Sequence, residues 1–419
     1  MDRRCLVVSY YFPPLGGGGV QRITKFIKYA ARSGWRFTVL TADEQTNIAP
    51  DPSLLKEIPE DVQVVRVESG LGLPKTGSGR IIRSGFLRRW LSAALFIPDI
   101  RKKWLPAVER AVREELRKND YHCVLVSIPP YSLAVLAARL SEDTDIPVIL
   151  DMRDPWTQNP YKLHPTRWHY RRDLEIELNA VAKVGWGVSA YRRTIQFYRD
   201  NIPGFNPDRW AWIPNGFDEE DFRELKPEIH DDGRFHLGFS GTFYSHGNHP
   251  KFLFAAMAKI KKRDPRLGAR LYFHHLGVSH IDLTKLAKKY DLTGQVISEG
   301  YWPHRQALNK LAGMNGLCFI LSDRDPRSVN TVGGKVYEYL RLGKPILAMV
   351  PPNGEAAELI GETRSGRVVA PTDVARIASL LTEWLTKPPE VTPRNITQYS
   401  REFQAKQWIQ FLERAIQSG

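Results

Sequence analysis

No apolar run approaches the roughly 20 residues that a membrane-spanning helix needs, although 42% of the 419 residues are hydrophobic. Cysteine is scarce, with three residues in all. Cys5, Cys123 and Cys318 each fall in an apolar, strand-like run. Their odd number excludes a paired disulfide framework and predicts reduced, structural thiols in a cytoplasmic protein. The apolar run at 5–8 is too short for a signal peptide and is expected to be the first strand. No internal repeat and no low-complexity tract occurs. Acidic residues are in deficit, 46 against 60 Lys and Arg, leaving a net charge of +14. Such an excess calls for an anionic partner. No nucleic-acid motif accompanies it, so nucleic acid is not expected. His274-His275 has no third metal ligand near it in sequence and reads as structural.

Against these absences stands a regular alternation of strand-like and helix-like stretches, the pattern of parallel α/β domains. Strands are expected at 5–8, 37–41, 62–67, 124–127, 148–151, 185–189 and 210–213. Pro214-Asn215-Gly216 then punctuates the chain and a charged stretch follows. The pattern restarts at 235–240, 271–276, 295–299, 317–321, 346–350 and 367–369. This predicts two Rossmann-like domains, 1–215 and 216–395. Pro388, Pro389 and Pro393 precede a last amphipathic helix at 396–417, with Phe403, Trp408, Phe411, Leu412 and Ile416 as its apolar positions.

The segment 333–347 carries the most chemistry. Gly333 and Gly334 open a helix whose first N–H groups are approachable. Lys335 and Glu338, three apart, share a face near that positive end. Gly343 and Pro345 stop the helix before a buried strand. A helix start with a lysine suits a phosphate, and a carboxylate one turn further in suits a ribose or sugar hydroxyl. Near the N-terminus, Gly16, Gly17, Gly18 and Gly19 lie between a strand and a helix, a second place for an anion. That loop is neither a dinucleotide fingerprint nor a P-loop. Asp151-Met152-Arg153-Asp154-Pro155-Trp156 ends another strand, where open α/β sheets bind ligands. Asp154 there either orients and deprotonates a hydroxyl or pairs with Arg153 to brace the loop. Asp323-Arg324-Asp325 suits a metal–diphosphate contact in principle, but two α/β halves do not match a single-domain metal-dependent enzyme. It is read as a solvated loop.

Lys-x-x-Glu-Tyr-Leu-x-x-Gly-Lys-Pro-Ile-Leu, from Lys335, resembles the donor-site helix of retaining glycosyltransferases of the GT-B fold, in the family 4-like branch that builds bacterial polysaccharides and glycolipids. Asp151 to Trp156, Ser127-Ile128-Pro129-Pro130 and the glycine loop resemble the same branch. The resemblance implies two Rossmann-like domains facing each other across a cleft, with the last helix crossing back onto the first. It implies transfer from a nucleotide-sugar to a lipid-linked or saccharide acceptor, with retention and without a bound metal or other cofactor. On that basis Asp154, Lys335 and Glu338 are expected to be catalytic, and Arg153, Asp154 and Trp156 to face the acceptor. Gly16 to Gly19, Gly241, Thr242, His246, Tyr301, Asn330, Gly333, Gly334, Lys335 and Glu338 are expected to hold the donor. Two positions depart from the pattern: Thr242 stands where many relatives carry Arg, with His246 near the place of a lysine, and Asn330 replaces the first Glu of a familiar pair. They support an alternative, a catalytically silent homologue that binds nucleotide-sugar or scaffolds a membrane complex.

Residues 80–118 hold eleven basic and four acidic residues, half of the net charge. Trp90, Leu91, Leu95 and other large apolar groups are interleaved. This is the composition of a helix at an anionic membrane surface, or of a solvated helix with an apolar inner face. The first reading predicts a cytoplasmic enzyme peripheral to the inner face of the membrane.

Overall fold

The computed structural model describes residues 3–43, 51–70, 86–244 and 247–418. It divides into two compact units, Met1–Gly216 with Arg401–Gly419, and Phe217–Ser400.

In the first unit the apolar runs form seven parallel strands: β1 Arg3–Ser9, β2 Trp35–Ala42, β3 Gln63–Val67, β4 Cys123–Ile128, β5 Val148–Met152, β6 Trp186–Ser189 and β7 Trp210–Trp212. Their order is β3-β2-β1-β4-β5-β6-β7. Strands β1, β4 and β5 are almost wholly buried, as strands covered by helices on both faces must be. Cys5 pairs in register with Cys123, and both are buried free thiols. The sequence pattern places a helix at 396–417. The observed α-helix starts later, at Arg401, after a short 3₁₀ turn Ile396–Tyr399. Asn395 takes a left-handed conformation at φ 56° and Ser400 is extended, which breaks the continuous helix. Helix Arg401–Ser418 packs on helix Gly18–Ala31, with Trp408 against Phe26 at 4.9 Å between ring centroids. Phe411 meets Trp186 edge-on at 5.7 Å.

The second unit has six parallel strands: β8 Phe235–Ser240, β9 Leu271–Leu276, β10 Val296–Gly300, β11 Gly316–Ile320, β12 Ile346–Met349 and β13 Gly366–Val369. Their order is β10-β9-β8-β11-β12-β13. Each sheet starts in its middle, runs outward, and then resumes on the other side of its first strand. The reversal falls between β1 and β4 in one unit and between β8 and β11 in the other. At such a switch point the loops leaving the two central strands diverge to opposite faces and open a crevice at their C-terminal ends.

Candidate functional site

In the second unit both central strands deliver candidate residues. After β11, Asp325 caps a 3₁₀ turn, Pro326–Asn330, by accepting from the Arg327 N–H at 2.9 Å. Asn330 is the half-buried last residue of that turn. The chain then reaches Gly333, where an added Cβ would sit 3.0 Å from the Phe319 ring. Helix Lys335–Leu342 follows, with Gly334 as its N-cap. It buries Val336, Tyr337, Tyr339 and Leu340 and ends at Gly343, left-handed at φ 67°. Tyr339 ties this helix to the other central strand, because its hydroxyl accepts from the Ser240 N–H at 2.7 Å. Ser240 precedes Gly241 and Thr242. The Gly241 N–H donates to Leu276 O at 2.9 Å, and its carbonyl accepts from His275 Nε2 at 2.9 Å. Thr242 is half-buried and its carbonyl accepts from Asn248 at 2.8 Å. His246 lies outside the described residues.

The centre of this arrangement is Glu338. It is 8% exposed. His304 Nε2 meets its Oε1 at 2.8 Å, and Lys335 Nζ lies 3.6 Å from Oε2. Burial alone raises a carboxyl pKa, but the Lys335 charge and the bonded His304 outweigh it and hold Glu338 at about 2. Burial works against the charged form of His304 too, yet Glu338 keeps its pKa above the ordinary range. Glu338 is therefore an ionised acceptor with one oxygen held by each cation. Lys335 remains 43% exposed, so its ammonium can serve an incoming anion. His304 is a residue that the sequence reading missed. It opens helix His304–Gly313, three residues after Tyr301, which is 62% exposed. The only sequence signal was its place in the loop after a strand.

In the first unit, Gly17 has φ 98° and caps helix Gly18–Ala31. Gly17 and Gly18 are exposed, Gly19 is half-buried and Gly16 is buried. Nothing lies within 4 Å of a Cβ at Gly17 or Gly18. At Gly19 a Cβ would sit 2.4 Å from Arg153 Nη1. Arg153 is buried and is held at the end of β4, with Nε donating to Ile128 O at 3.1 Å and Nη2 to Pro129 O. Arg22, one turn into the helix, makes a buried ion pair with Asp151 at 3.1 Å, and Asp151 also accepts from Ser127 at 2.8 Å. The motif's first Asp thus anchors the glycine helix.

Trp156 was expected on the acceptor side but faces the core. It is 0% exposed, stacks on Tyr131 at 5.2 Å and donates to Asp173 at 2.9 Å. Its buried indole N–H explains the need for Asp173. Glu177, one turn on in the same helix, accepts from Thr157 N at 3.0 Å and Tyr198 Oη at 2.7 Å. Burial pushes its carboxyl up to about 7 in spite of those bonds. Asp173 and Glu177, spaced four apart on helix Arg167–Val184, form a buried acidic support that the sequence reading also missed. Asp154 is half-buried and lies 3.5 Å from the Tyr191 hydroxyl. Burial raises its pKa, and the Arg153 charge offsets this only in part. A carboxyl so tuned moves toward the range of a general base.

Gly16 to Gly19, Arg153, Asp154 and Trp156 thus belong to the first unit, and Gly241, Thr242, Tyr301, Asn330, Gly333, Gly334, Lys335 and Glu338 to the second. Residues 221–403 match the family described as Glycosyl transferases group 1, a segment that holds the whole second-unit constellation. No curated protein sequence matches the chain. Among solved structures it is similar to a sucrose-phosphate synthase from Thermosynechococcus elongatus, with 14% identity, a TM-score of 0.70 and full coverage of both chains (100% and 100%). It is similar to TarM, with 9% identity and a TM-score of 0.65 over 98% of this chain and 99% of that one. It is also similar to WaaG, a glycosyltransferase involved in lipopolysaccharide biosynthesis, with 13% identity and a TM-score of 0.57 over 98% of each chain. Two parallel Rossmann-like sheets and these neighbours establish the GT-B fold, and the family match over its second unit supports sugar transfer.

Proposed function

We propose that the protein is a retaining glycosyltransferase that moves a sugar from a nucleotide-sugar to a lipid-linked or saccharide acceptor, without a metal ion. The observation that carries this is the Lys335–Glu338–His304 constellation at a glycine-opened helix end, inside the segment that matches the family. Glu338, fixed as an anion, accepts from donor hydroxyls. Lys335 and the helix end at Gly333 and Gly334 hold the diphosphate, and they stabilise the charge that develops on it as the glycosidic bond breaks. Thr242 and Asn330 supply neutral hydrogen bonds there, and the charge comes from Lys335. In the first unit Asp154 orients the acceptor hydroxyl. The exposed N–H groups of the glycine loop serve an anionic group. Retention follows if the leaving diphosphate stays on the same sugar face and takes the acceptor's proton.

The acceptor is proposed to sit at an anionic membrane on the cytoplasmic side, in polysaccharide or glycolipid synthesis. Helix Phe86–Leu95 supports this. Leu87 and Leu95 are each 68% exposed, and Leu91 and Trp90 also face solvent. Arg89, Lys102 and Lys103 lie exposed nearby in the chain. Among the described residues no helix is long and apolar enough to cross a membrane.

The test is incubation with a panel of nucleoside diphosphate sugars and lipid or saccharide acceptors, with the product read by NMR. Transfer with the donor's anomeric configuration kept supports the reading. Inversion refutes the retaining mechanism, and no turnover of any donor favours the silent homologue.

A further inference from the structure

A cluster of imidazoles near the start of the second sheet takes no part in the assignment above. His236 on β8 and His274 on β9 are buried, and Nδ1 of the first lies 2.8 Å from Nε2 of the second. His230 stacks on His236, with centroids 3.8 Å apart and planes inclined by 10°. One ligand nitrogen from each of the three rings lies within 4.8 Å of the others. The sequence reading gave His274 no third ligand, because its partners are far away in the chain and only the pairing of β8 with β9 gathers them.

The outer nitrogens each face a carboxylate. His236 Nε2 meets Asp232 Oδ1 at 3.1 Å, and His274 Nδ1 meets Glu299 Oε1 at 3.0 Å. Lys310 adds a 2.9 Å ion pair to Glu299. An ionised carboxylate only accepts. Each neutral ring must then carry its proton on the outer nitrogen. The inner nitrogens point lone pairs at each other across 2.8 Å, an arrangement that repels unless a cation lies between them. A carboxylate on the far nitrogen of each ring is the outer shell that orients and strengthens histidine ligands to a metal.

We propose that His230, His236 and His274 bind one divalent transition-metal ion of the zinc class, with water as the fourth ligand and Asp232 and Glu299 as orienting acceptors. Imidazole ligands suit that class. Zinc–nitrogen bonds of about 2.0–2.1 Å in a tetrahedral site place ligand nitrogens roughly 3.4 Å apart, so the His236–His274 pair opens by about half an ångström on loading. His236 is the second residue of β8 and lies five residues before Gly241, roughly 16 Å along the strand. The metal pins the segment before β8 to the sheet and is separate from sugar transfer.

The test uses the full chain without a histidine tag, stripped by a chelator and titrated with Co²⁺ and then Zn²⁺. One Co²⁺ per chain is expected, with the strong visible absorption of a four-coordinate ion, displaced by Zn²⁺ with a rise in Tm. His274→Gln abolishes that spectrum. His230→Ala, at a half-buried position, does the same while the fold, checked by circular dichroism, persists. Glu299→Gln weakens the affinity about 10- to 100-fold. No binding at micromolar Co²⁺, or a spectrum unchanged in folded His230→Ala, overturns the proposal. So does a proton shared between His236 and His274 that persists, by NMR, in excess Zn²⁺.

Discussion

Replacing His304 by Gln removes one of the two cations on Glu338 and keeps a polar side chain of similar reach. In the wild type, the fall of the Glu338 pKa from an ordinary 4.5 to about 2 corresponds to about 3 kcal/mol of stabilisation of the ionised form. Lys335 and His304 share that sum, and solvent screens the part of Lys335, which is 43% exposed. The loss in the variant is expected to be about 1–3 kcal/mol near pH 6. Its pH dependence is the sharper readout. His304 has a raised pKa in the folded state, so its stabilisation is complete below the ordinary histidine value of about 6.5 and fades as pH rises through the folded value. Over that window the native state binds more protons than the unfolded one, and stability falls with rising pH. Glu338 has the opposite sign: its stabilisation is present above an ordinary 4.5 and is lost as pH falls toward about 2. Urea unfolding of wild type and His304→Gln at a series of pH values measures both. The variant is expected to lose the decline above pH 6.5 and to show a shallower acid limb. Two curves that run parallel across the whole range refute the coupling between His304 and Glu338.

At the glycine loop, Gly19→Ala drives a methyl against the Arg153 guanidinium and is expected to destabilise the fold by about 1–3 kcal/mol. Gly18→Ala, with open space around it, leaves Tm nearly unchanged. Initial transfer rates are expected to survive EDTA, because Lys335 and backbone donors hold the diphosphate; full loss restored by Mg²⁺ or Mn²⁺ implicates Asp323-Arg324-Asp325 instead. The protein is expected to sediment with anionic but not neutral liposomes, and salt should weaken this, since each basic residue at an anionic surface contributes about 1 kcal/mol. Replacing Arg88, Arg89, Lys102 and Lys103 by Glu should abolish sedimentation and leave nucleotide binding intact. A wild type that ignores anionic liposomes at low salt makes this a solvated stretch.

Strands were the most legible part of the fold. All thirteen expected runs became parallel strands; β1, β4 and β5 are apolar because both of their faces are buried, while β3, β10 and β13 are only partly buried. Two Rossmann-like domains followed from the restart of the pattern after Gly216, and the resemblance of the Lys335 helix implied their GT-B arrangement. Within the last helix, apolar identity misled at one position: Phe403 is 39% exposed, while Gln404 is buried and donates to Asn215 O at 3.1 Å. Motifs showed where chemistry gathers but not which way side chains turn. Arg153 and Trp156 sit at a strand end as expected, yet both point inward, where Asp173 on a later helix receives the indole. His304 and Glu338 are 34 residues apart, and no local pattern links them. Only the fold brings the start of the helix after β10 against the helix after β11.

The central claim, that the Lys335–Glu338 helix binds a nucleotide-sugar, is tested most directly by thermal shift and calorimetry against nucleoside diphosphates and their sugars. At 100 times its dissociation constant, a ligand is expected to stabilise the wild type by about 2.7 kcal/mol. Lys335→Ala and Glu338→Ala should each weaken that binding at least about tenfold, or roughly 1.4 kcal/mol. A wild type that binds none of the panel, or variants that bind as tightly as the wild type, would contradict the account.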